Sequence, residues 1–364
     1  MIETLMLEAI NLAKKSFRKT LPNPRVGAIV FDDSGRVLGR GYHKEFGAPH
    51  AEIKAIKDAE KNGFALHGAN LCVTLEPCNH TGKTPPCTEA ILRSGIKRVF
   101  IGTRDDCKTV SGCGFDKLEL HGIEVKSGIL EAECRALNPG FHKFNETSLP
   151  YVHLKAAISL NGKMTNRKNK NAWFTGEESR KMVHQFRAFS DLIITGVGTI
   201  KADNPRFSSR LNDTVIPDRI AILDPNLELL DNYKKKGLNI FREGNDVIII
   251  TKKGKKTSEL KNPDLNVIEA ETDNNDLFVL PSLIKELGIT HNFREIFIEA
   301  GPSLVSSFLK LDKRYLDRIT LFIAPVWFNN DEDPLFTDTE KLFPDIKITE
   351  VEMLGNTLCV EGRL

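Results

Sequence analysis

The chain lacks the features that would place it in a membrane or on a nucleic acid. A continuous apolar run of roughly 18 residues is absent, so no membrane-spanning helix is predicted. Neither sign of charge dominates, because 51 Lys and Arg balance 49 Asp and Glu and leave a net charge of +2. Aromatic residues make up 7% of the chain, and no basic or aromatic strip is evident. This composition argues against a nucleic-acid or membrane partner.

A secretory leader and a disulfide framework are also missing. Residues 2–17 carry apolar side chains at helical spacing with their positive charges late, which is typical of a structural amphipathic helix. Seven cysteines form an odd set in this chain of 364 residues, which indicates free thiols in a reducing compartment. A cytoplasmic location is therefore predicted.

Helical and strand-like patterns alternate along the chain and predict two α/β domains. The first domain covers residues 1–144. The polar stretch 145–150 ends in proline and is predicted to be a linker, and residues 151–364 form a second, larger domain. Within the second domain, residues 225–244 are predicted to form exposed turns.

The strongest chemical signal is a Pro-His-Ala-Glu segment followed by Glu-Pro-Cys and, nine residues after that cysteine, by another. His50, Cys78 and Cys87 are the kinds of ligand that zinc prefers, and three ligands leave one position for a water nucleophile. Glu52 is poorly spaced to share the metal but suits proton transfer to a leaving amine. Both ligand groups precede predicted helices, whose N-terminal ends favour thiolate. This cluster predicts a zinc-dependent deaminase, and by itself it leaves the amino-heterocycle open.

The surroundings of this cluster resemble the pyrimidine deaminase domain of the bifunctional riboflavin-biosynthesis deaminase-reductase family. The resemblance rests on His-Ala-Glu, on the Pro-Cys-Asn-His-Thr-Gly-Lys-Thr-Pro-Pro-Cys segment and on Pro-Asn-Pro-Arg-Val-Gly at 22–27. Other cytidine-deaminase-like enzymes usually carry Pro-Cys-x-x-Cys. The resemblance implies a cytidine-deaminase-like three-layer fold. It also implies substrate contacts from Asn23, His43, Lys83 and Thr84, with His80 near the pocket.

The second domain has no Gly-x-Gly-x-x-Gly motif after a strand, so the Rossmann dinucleotide fingerprint is absent. Glycines do stand at two strand-to-helix junctions, in Gly-Val-Gly-Thr at 196–199 and Glu-Ala-Gly-Pro-Ser at 299–303. Backbone amides at such junctions can approach a phosphate. Each segment alone is a weak indication of a cofactor.

Taken with segments 154–162, 173–176 and 186–188, these junctions resemble the reductase half of the same family. The resemblance implies a dihydrofolate-reductase-like fold that uses NADPH. The implied cofactor contacts are Ala157, Trp173, Thr199, Asp203, Gly301, Pro302, Ser303, Leu304, Val305, Ser306 and Ser307. The implied substrate contacts are Lys155, Asn171, Arg187, Phe207, Arg210 and Glu299. Both arginines suit a phosphate, because the guanidinium group can donate two parallel hydrogen bonds.

The chain departs from the family pattern at four places. An Asp-Pro-Asn-Pro-like stretch is replaced by residues 105–109, and a Gly-Lys-Gly segment by Gly-Cys-Gly at 112–114. The cysteines introduced there, Cys107 and Cys113, are interpreted as incidental thiols. Asn161 replaces a frequent aspartate and Asn171 a frequent serine, and both changes keep the capacity for hydrogen bonding.

The resemblance implies two consecutive reactions on one phosphorylated intermediate of riboflavin synthesis. Hydrolytic deamination of 2,5-diamino-6-(5-phosphoribosylamino)pyrimidin-4(3H)-one would be followed by NADPH-dependent reduction of the ribosyl side chain to ribityl. The product would be 5-amino-6-(5-phosphoribitylamino)uracil, and a homo-oligomer is expected. Three alternatives remain: a nucleic-acid base deaminase with an appended binding domain, a non-catalytic interaction module stabilised by zinc, and a bifunctional homologue with one inactive half.

Overall fold

The computed structural model describes residues 1–81, 85–106, 113–164, 175–211, 214–229, 237–241, 244–255, 266–329 and 346–364. The chain forms two compact units, Met1–Ser148 and Leu149–Leu364. A helix of the first unit extends through Thr147, so it includes the first part of the predicted linker 145–150. Among the described residues, no helix is long and apolar enough to span a membrane.

The first unit is built on a five-stranded mixed sheet. Its strands are β1 (Gly27–Phe31), β2 (Val37–Tyr42), β3 (Asn70–Leu75), β4 (Arg98–Thr103) and β5 (Glu124–Ser127). Their order is β2-β1-β3-β4-β5, with β1 antiparallel to both neighbours and β3, β4 and β5 mutually parallel. The helices are α1 (Ile2–Ala13), α2 (Ala51–Lys61), α3 (Cys87–Ser94), α4 (Cys113–Leu120), α5 (Glu131–Ala136) and α6 (Pro139–Thr147).

Alternating side chains of the sheet supply two separate cores. Ala28 and Val30 of β1 pack in a cluster with α2, α3 and α4, whereas Ile29 and Phe31 pack in a cluster with α1 and α5. This follows from the strand geometry, in which successive side chains point to opposite faces. The predicted three-layer fold is confirmed.

Small residues allow α2 to lie directly on β2. A Cβ atom at Gly39 would lie 2.3 Å from the Ala55 carbonyl oxygen, and one at Gly41 would lie 2.2 Å from the Ala51 carbonyl oxygen. A larger side chain at either glycine would push the helix off the sheet. The contact therefore fixes the start of α2, and with it His50.

The second unit contains a sheet of nine described strands. These are β6 (Tyr151–Ser159), β7 (Leu192–Gly196), β10 (Arg219–Leu223), β11 (Asp246–Lys252), β12 (Asn266–Ala270), β13 (Glu295–Glu299), β14 (Arg318–Ala324), β15 (Lys347–Leu354) and β16 (Thr357–Arg363). The order is β12-β11-β10-β7-β13-β6-β14-β16-β15, parallel from β12 to β14, with β16 and β15 antiparallel at the end. A small hairpin joins β8 (Ser209–Leu211) to β9 (Thr214–Ile216).

The α-helices whose bounds are described in the second unit are α7 (Glu177–Phe189), α8 (Val197–Asp203), α9 (Leu280–Ile289) and α10 (Pro302–Leu309). Together with the central strands they bury one apolar cluster on each face of the sheet. The prediction of exposed turns over residues 225–244 is wrong for Leu229, Leu238 and Ile240, which are buried. Their side chains complete the cluster that contains the apolar residues of β10 and β11.

Candidate active sites

Three zinc-type ligands converge in the first unit. His50 is the residue before α2, Cys87 is the first residue of α3, and Cys78 follows β3. Nδ1 of His50 lies 3.2 Å from Sγ of Cys87 and 3.5 Å from Sγ of Cys78, and all three ligand atoms lie within 4.8 Å of one another. The elements that begin or end at this edge of the sheet therefore bring the predicted ligands together.

The separations of these atoms fit a tetrahedral metal. Zinc bonds of about 2.0 Å to nitrogen and 2.3 Å to sulfur place ligand atoms roughly 3.5 to 3.8 Å apart. The observed distances from His50 to the two cysteines are close to this range. One imidazole and two thiols are also a donor set that zinc prefers, and they leave one position for a reactant.

The protonation of the two thiols is unequal. A hydrogen bond from the Cys87 thiol, together with His50, lowers the pKa of Cys78 to about 4. The same hydrogen bond and burial raise the pKa of Cys87, and they outweigh the effect of the helix start that was expected to favour thiolate there. The hydrogen bond to Cys78 raises the pKa of His50 against the effect of burial. The pKa of Cys78 therefore lies well below that of Cys87.

Glu52 lies in the first turn of α2 and is buried, with 4% of its surface exposed. Burial, followed by the negative charge on Cys78, raises the pKa of its carboxyl to about 7. A carboxyl group with such a pKa exchanges a proton readily at neutral pH. The environment of Glu52 is therefore suited to an acid–base role.

Two other predicted residues of the deaminase site lie beside the ligands. The His43 ring meets the His50 ring edge-on with centroids 5.2 Å apart, and Nδ2 of Asn23 is 3.5 Å from Nε2 of His43. Burial and the nearby His50 lower the pKa of His43. His80 is exposed. Lys83 and Thr84 lie outside the described residues.

Sequence reasoning missed a carboxylate at the end of β3. Glu76 is buried and accepts hydrogen bonds from the backbone amides of Asp105, Gly114 and Phe115. The available signal was its position directly before Pro77 and Cys78, since a carboxyl group that follows a wholly buried strand needs hydrogen-bonding partners.

A second cluster of predicted residues forms in the other unit. Arg187 donates two hydrogen bonds to Glu299, from Nε at 2.8 Å and from Nη2 at 2.9 Å. Lys155 faces Glu299 across the pairing of β6 and β13, with Nζ 3.7 Å from the carboxylate. The guanidinium carbon of Arg187 lies 5.2 Å from the centre of the Phe207 ring. Four of the predicted substrate residues are therefore adjacent.

Arg210 is exposed and lies on β8. Its charge and that of Arg187 act on His184, whose pKa is lowered first by burial and then by these two arginines. His184 on α7 thus shares the surroundings of both predicted phosphate ligands and was not singled out from the sequence. Asn171 falls outside the described residues.

The predicted cofactor segments also meet. A Cβ atom at Gly301 would lie 3.6 Å from Oγ1 of Thr199, so the starts of α8 and α10 lie side by side after the neighbouring strands β7 and β13. Such helix starts present backbone amides that suit a phosphate group. Ala157 is half-buried in β6, and Asp203 is the exposed last residue of α8.

Within α10 the predicted residues differ in exposure. Val305 and Ser306 are buried, and Val305 belongs to a core cluster, whereas Ser303 is exposed. The start of the helix is therefore better placed for a ligand than its second turn. Trp173 lies outside the described residues.

Asn161 forms a structural link rather than an open polar group. Its Oδ1 accepts hydrogen bonds from the Ser159 hydroxyl at 2.8 Å and from the Phe328 amide at 3.2 Å. Its Nδ2 donates to the Phe328 carbonyl at 2.8 Å. Only an amide can satisfy all three partners, because a carboxylate cannot donate.

These observations define the class of protein to which the chain belongs. The first unit has the fold and donor set of a zinc-dependent deaminase. The second is an α/β unit with a buried ion-pair cluster that includes Glu299, the last residue of β13, shortly before α10 begins. Residues 1–103 match the cytidine and deoxycytidylate deaminase zinc-binding region, and residues 150–360 match the RibD C-terminal domain.

Whole-chain relatives make the assignment specific. The chain is 41% identical to riboflavin biosynthesis protein RibD of Aquifex aeolicus over 87% of this chain and 85% of the relative. It is 37% identical to that of Bacillus amyloliquefaciens over 98% and 94%. A Thermotoga maritima structure described as a diaminohydroxyphosphoribosylaminopyrimidine deaminase/5-amino-6-(5-phosphoribosylamino)uracil reductase superposes with a TM-score of 0.86 at 36% identity, covering 100% of this chain and 98% of that one.

The chain belongs to the RibD family. It is a bifunctional enzyme of riboflavin biosynthesis, with a zinc-binding deaminase domain and an NADPH-using reductase domain.

Proposed function

We propose that the first unit deaminates 2,5-diamino-6-(5-phosphoribosylamino)pyrimidin-4(3H)-one and that the second reduces the ribosyl side chain of the product to ribityl. The observation that carries this proposal is the convergence of His50, Cys78 and Cys87 beside the buried Glu52. The substrate is the one for which the Thermotoga maritima relative is named.

In the deamination, His50, Cys78 and Cys87 would hold zinc. When bound, zinc supplies a Lewis acid that makes water a nucleophile near neutral pH. Glu52, with its pKa raised to about 7 chiefly by burial, takes a proton as water adds to C2 of the ring. It then passes the proton to the departing amine, and ammonia leaves. Asn23 and His43 orient the pyrimidine beside this group.

In the reduction, the starts of α8 and α10 would hold the cofactor through Thr199 and the Gly301 segment. NADPH, when bound, supplies the hydride. Lys155, Arg187 and Glu299 form a rigid cluster of charges in the site. The ion pairs are buried, and the Arg187 guanidinium donates two hydrogen bonds to Glu299. Arg187 and Arg210 are the proposed phosphate partners, and they would keep C1 of the sugar in line with the nicotinamide.

Supplying zinc-loaded protein with the diaminopyrimidinone substrate, and following ammonia release and NADPH oxidation separately, tests both halves. Wild-type protein should perform both reactions. Glu52→Ala should reduce ammonia release by roughly 10²- to 10⁴-fold, because a positioned acid–base group contributes this much to proton transfer. The same variant should still oxidise NADPH when it is given the deaminated intermediate.

The matched control is Glu60→Gln, an exposed position on the same helix, which should leave both rates unchanged. Absence of ammonia release from the wild-type protein would refute the deaminase assignment. Loss of both reactions in Glu52→Ala would refute independent sites.

We further propose a homo-oligomer in the cytoplasm. Exposed Ile348, Val351 and Met353 share one face of the edge strand β15, according to its register with β16, and this supports self-association. The six cysteines among the described residues are free, which supports a reducing compartment. Light scattering of wild-type protein and Val351→Glu tests the assembly; equal masses at the monomer value would contradict it.

A further inference from the structure

The carboxylate of Glu76 is a junction between the zinc-ligand loop and two other parts of the first unit. Its Oε2 accepts a hydrogen bond from the Asp105 amide at 3.3 Å, where the chain leaves β4. Its Oε1 accepts from the amides of Gly114 at 3.1 Å and Phe115 at 3.0 Å, in the first turn of α4. A negative group there also complements the positive end of the helix.

Further contacts hold the start of α4 against the ligand loop. A Cβ atom at Gly114 would lie 2.0 Å from the carbonyl oxygen of Pro77, the residue before Cys78. On the other side of Cys78, Nδ2 of Asn79 donates to the Cys113 carbonyl at 3.2 Å. Oδ1 of Asn79 in turn accepts from the Thr88 hydroxyl at 3.0 Å, next to Cys87. The start of α4 is thus fixed relative to both thiols.

We propose that Glu76 is a positioning residue of the deaminase site, which places Asp105 and the start of α4 as one side of the substrate pocket beside Cys78. This inference rests on the proposed deaminase function. The ligands themselves do not depend on Glu76, since no hydrogen bond of its carboxylate among the described residues reaches His50, Cys78 or Cys87. Glu76 should therefore affect substrate binding more than metal binding.

The test is Glu76→Gln in the zinc-loaded full chain. The amide nitrogen of glutamine cannot accept a hydrogen bond, so at least one of the three backbone amides loses its partner while the side-chain volume is kept. KM for the diaminopyrimidinone should rise roughly 10-fold, and kcat should change less than about 3-fold. Zinc content per chain and reductase activity should stay at wild-type values.

Two further variants sharpen the result. Gly114→Ala, which forces the start of α4 away from Pro77, should also raise KM with zinc retained, so the proposal is still tested if Glu76→Gln fails to fold. Glu124→Gln, at an exposed position on β5, should change nothing.

Zinc loss in parallel with activity would overturn the proposal, because Glu76 would then act on the metal ligands. An unchanged KM in a folded, zinc-loaded Glu76→Gln or Gly114→Ala protein would overturn it as well. Either outcome requires that the wild-type protein releases ammonia; a wild-type protein without that activity refutes the proposed function instead.

Discussion

The two sites each contain a buried glutamate, and the two carboxyl groups behave in opposite ways. Burial and a neighbouring thiolate raise the pKa of Glu52 to about 7. Burial alone would also raise the pKa of Glu299, but Arg187 and Lys155 lower it to about 2. Burial is thus common to both groups, and the charge of the neighbours decides the direction of the shift. Glu52 is suited to move a proton, whereas Glu299 is suited to hold a fixed negative charge.

The sites also differ in how the chain assembles them. In the first unit the ligand pairs are 28 and 37 residues apart, and two helix starts and one loop supply them. In the second unit Arg187 and Glu299 are 112 residues apart, and Lys155 meets Glu299 only through the pairing of parallel strands. The first site is therefore assembled from elements that are close in the sequence, whereas the second depends on elements that are far apart in it.

Cys87→Ala should separate the two sites most strongly, with the largest effect on deamination and none on reduction. Removal of this ligand leaves two protein ligands, so zinc should be lost, and deamination should fall by at least about 10³-fold because the metal contributes several kcal/mol. Reduction of the deaminated intermediate should continue at the wild-type rate. Zinc analysis and the two separate assays measure these effects.

Cys134→Ala is the matched control, because this thiol is buried in the same unit but belongs to an apolar cluster. It should retain zinc. If Cys87→Ala keeps its metal and its deaminase activity, the ligand assignment is wrong.

Glu299→Gln should have the next largest effect. It removes the carboxylate that pairs with the buried Arg187 and Lys155, so the free energy of unfolding should fall by about 3–5 kcal/mol and reduction should be lost. Urea unfolding and the reductase assay measure this. Glu177→Gln removes an exposed ion pair with Lys181 and should leave the free energy of unfolding nearly unchanged. Equal decreases in the free energy of unfolding of the two variants would show that the buried cluster contributes no more to stability than the exposed ion pair.

Acid should remove the stabilisation by ionised Glu299 from the wild-type protein. The pKa of Glu299 is about 2 in the folded chain, below its ordinary value of 4.5, so its ionised form is stabilised by folding. This stabilisation, at most about 3 kcal/mol, is complete above pH 4.5 and is lost as the pH falls towards 2. The stability difference between wild type and Glu299→Gln should therefore narrow in that interval. A constant difference down to pH 2 would contradict the assignment.

This contrast explains how much could be predicted. The zinc cluster and its fold class were accessible because the residues lie in one short stretch with a distinctive spacing. Glu76 escaped notice because its partners at Asp105, Gly114 and Phe115 come from other elements and are backbone amides, which carry no residue-specific signal. The burial of Leu229 and Ile240 escaped notice because scattered apolar residues show no clear periodicity in the sequence.

The contacts between side chains in the second unit could not be predicted from the sequence either. Lys155, Arg187 and Glu299 were connected to one substrate through family resemblance, but their mutual ion pairs depend on β6, β13 and α7 packing together. The resemblance, together with the geometry of the guanidinium group, predicted two arginines for a phosphate. It did not predict that Arg187 would donate hydrogen bonds from both Nε and Nη2 to the Glu299 carboxylate.

Asn161→Asp should have the smallest effect and tests whether a family-typical residue suits this chain. Aspartate cannot donate to the Phe328 carbonyl, so one hydrogen bond is lost and a negative charge faces an acceptor. The expected cost is about 1 kcal/mol, or a Tm lower by about 2–4 °C, with kcat for reduction within about 2-fold of wild type. Asn275→Asp, at an exposed position in the same unit, should leave Tm unchanged. A large loss of reductase activity with a normal Tm would instead indicate that Asn161 contacts a reactant. Asn161 would then belong with Glu299 among the residues of the reductase site, and its role would not be structural.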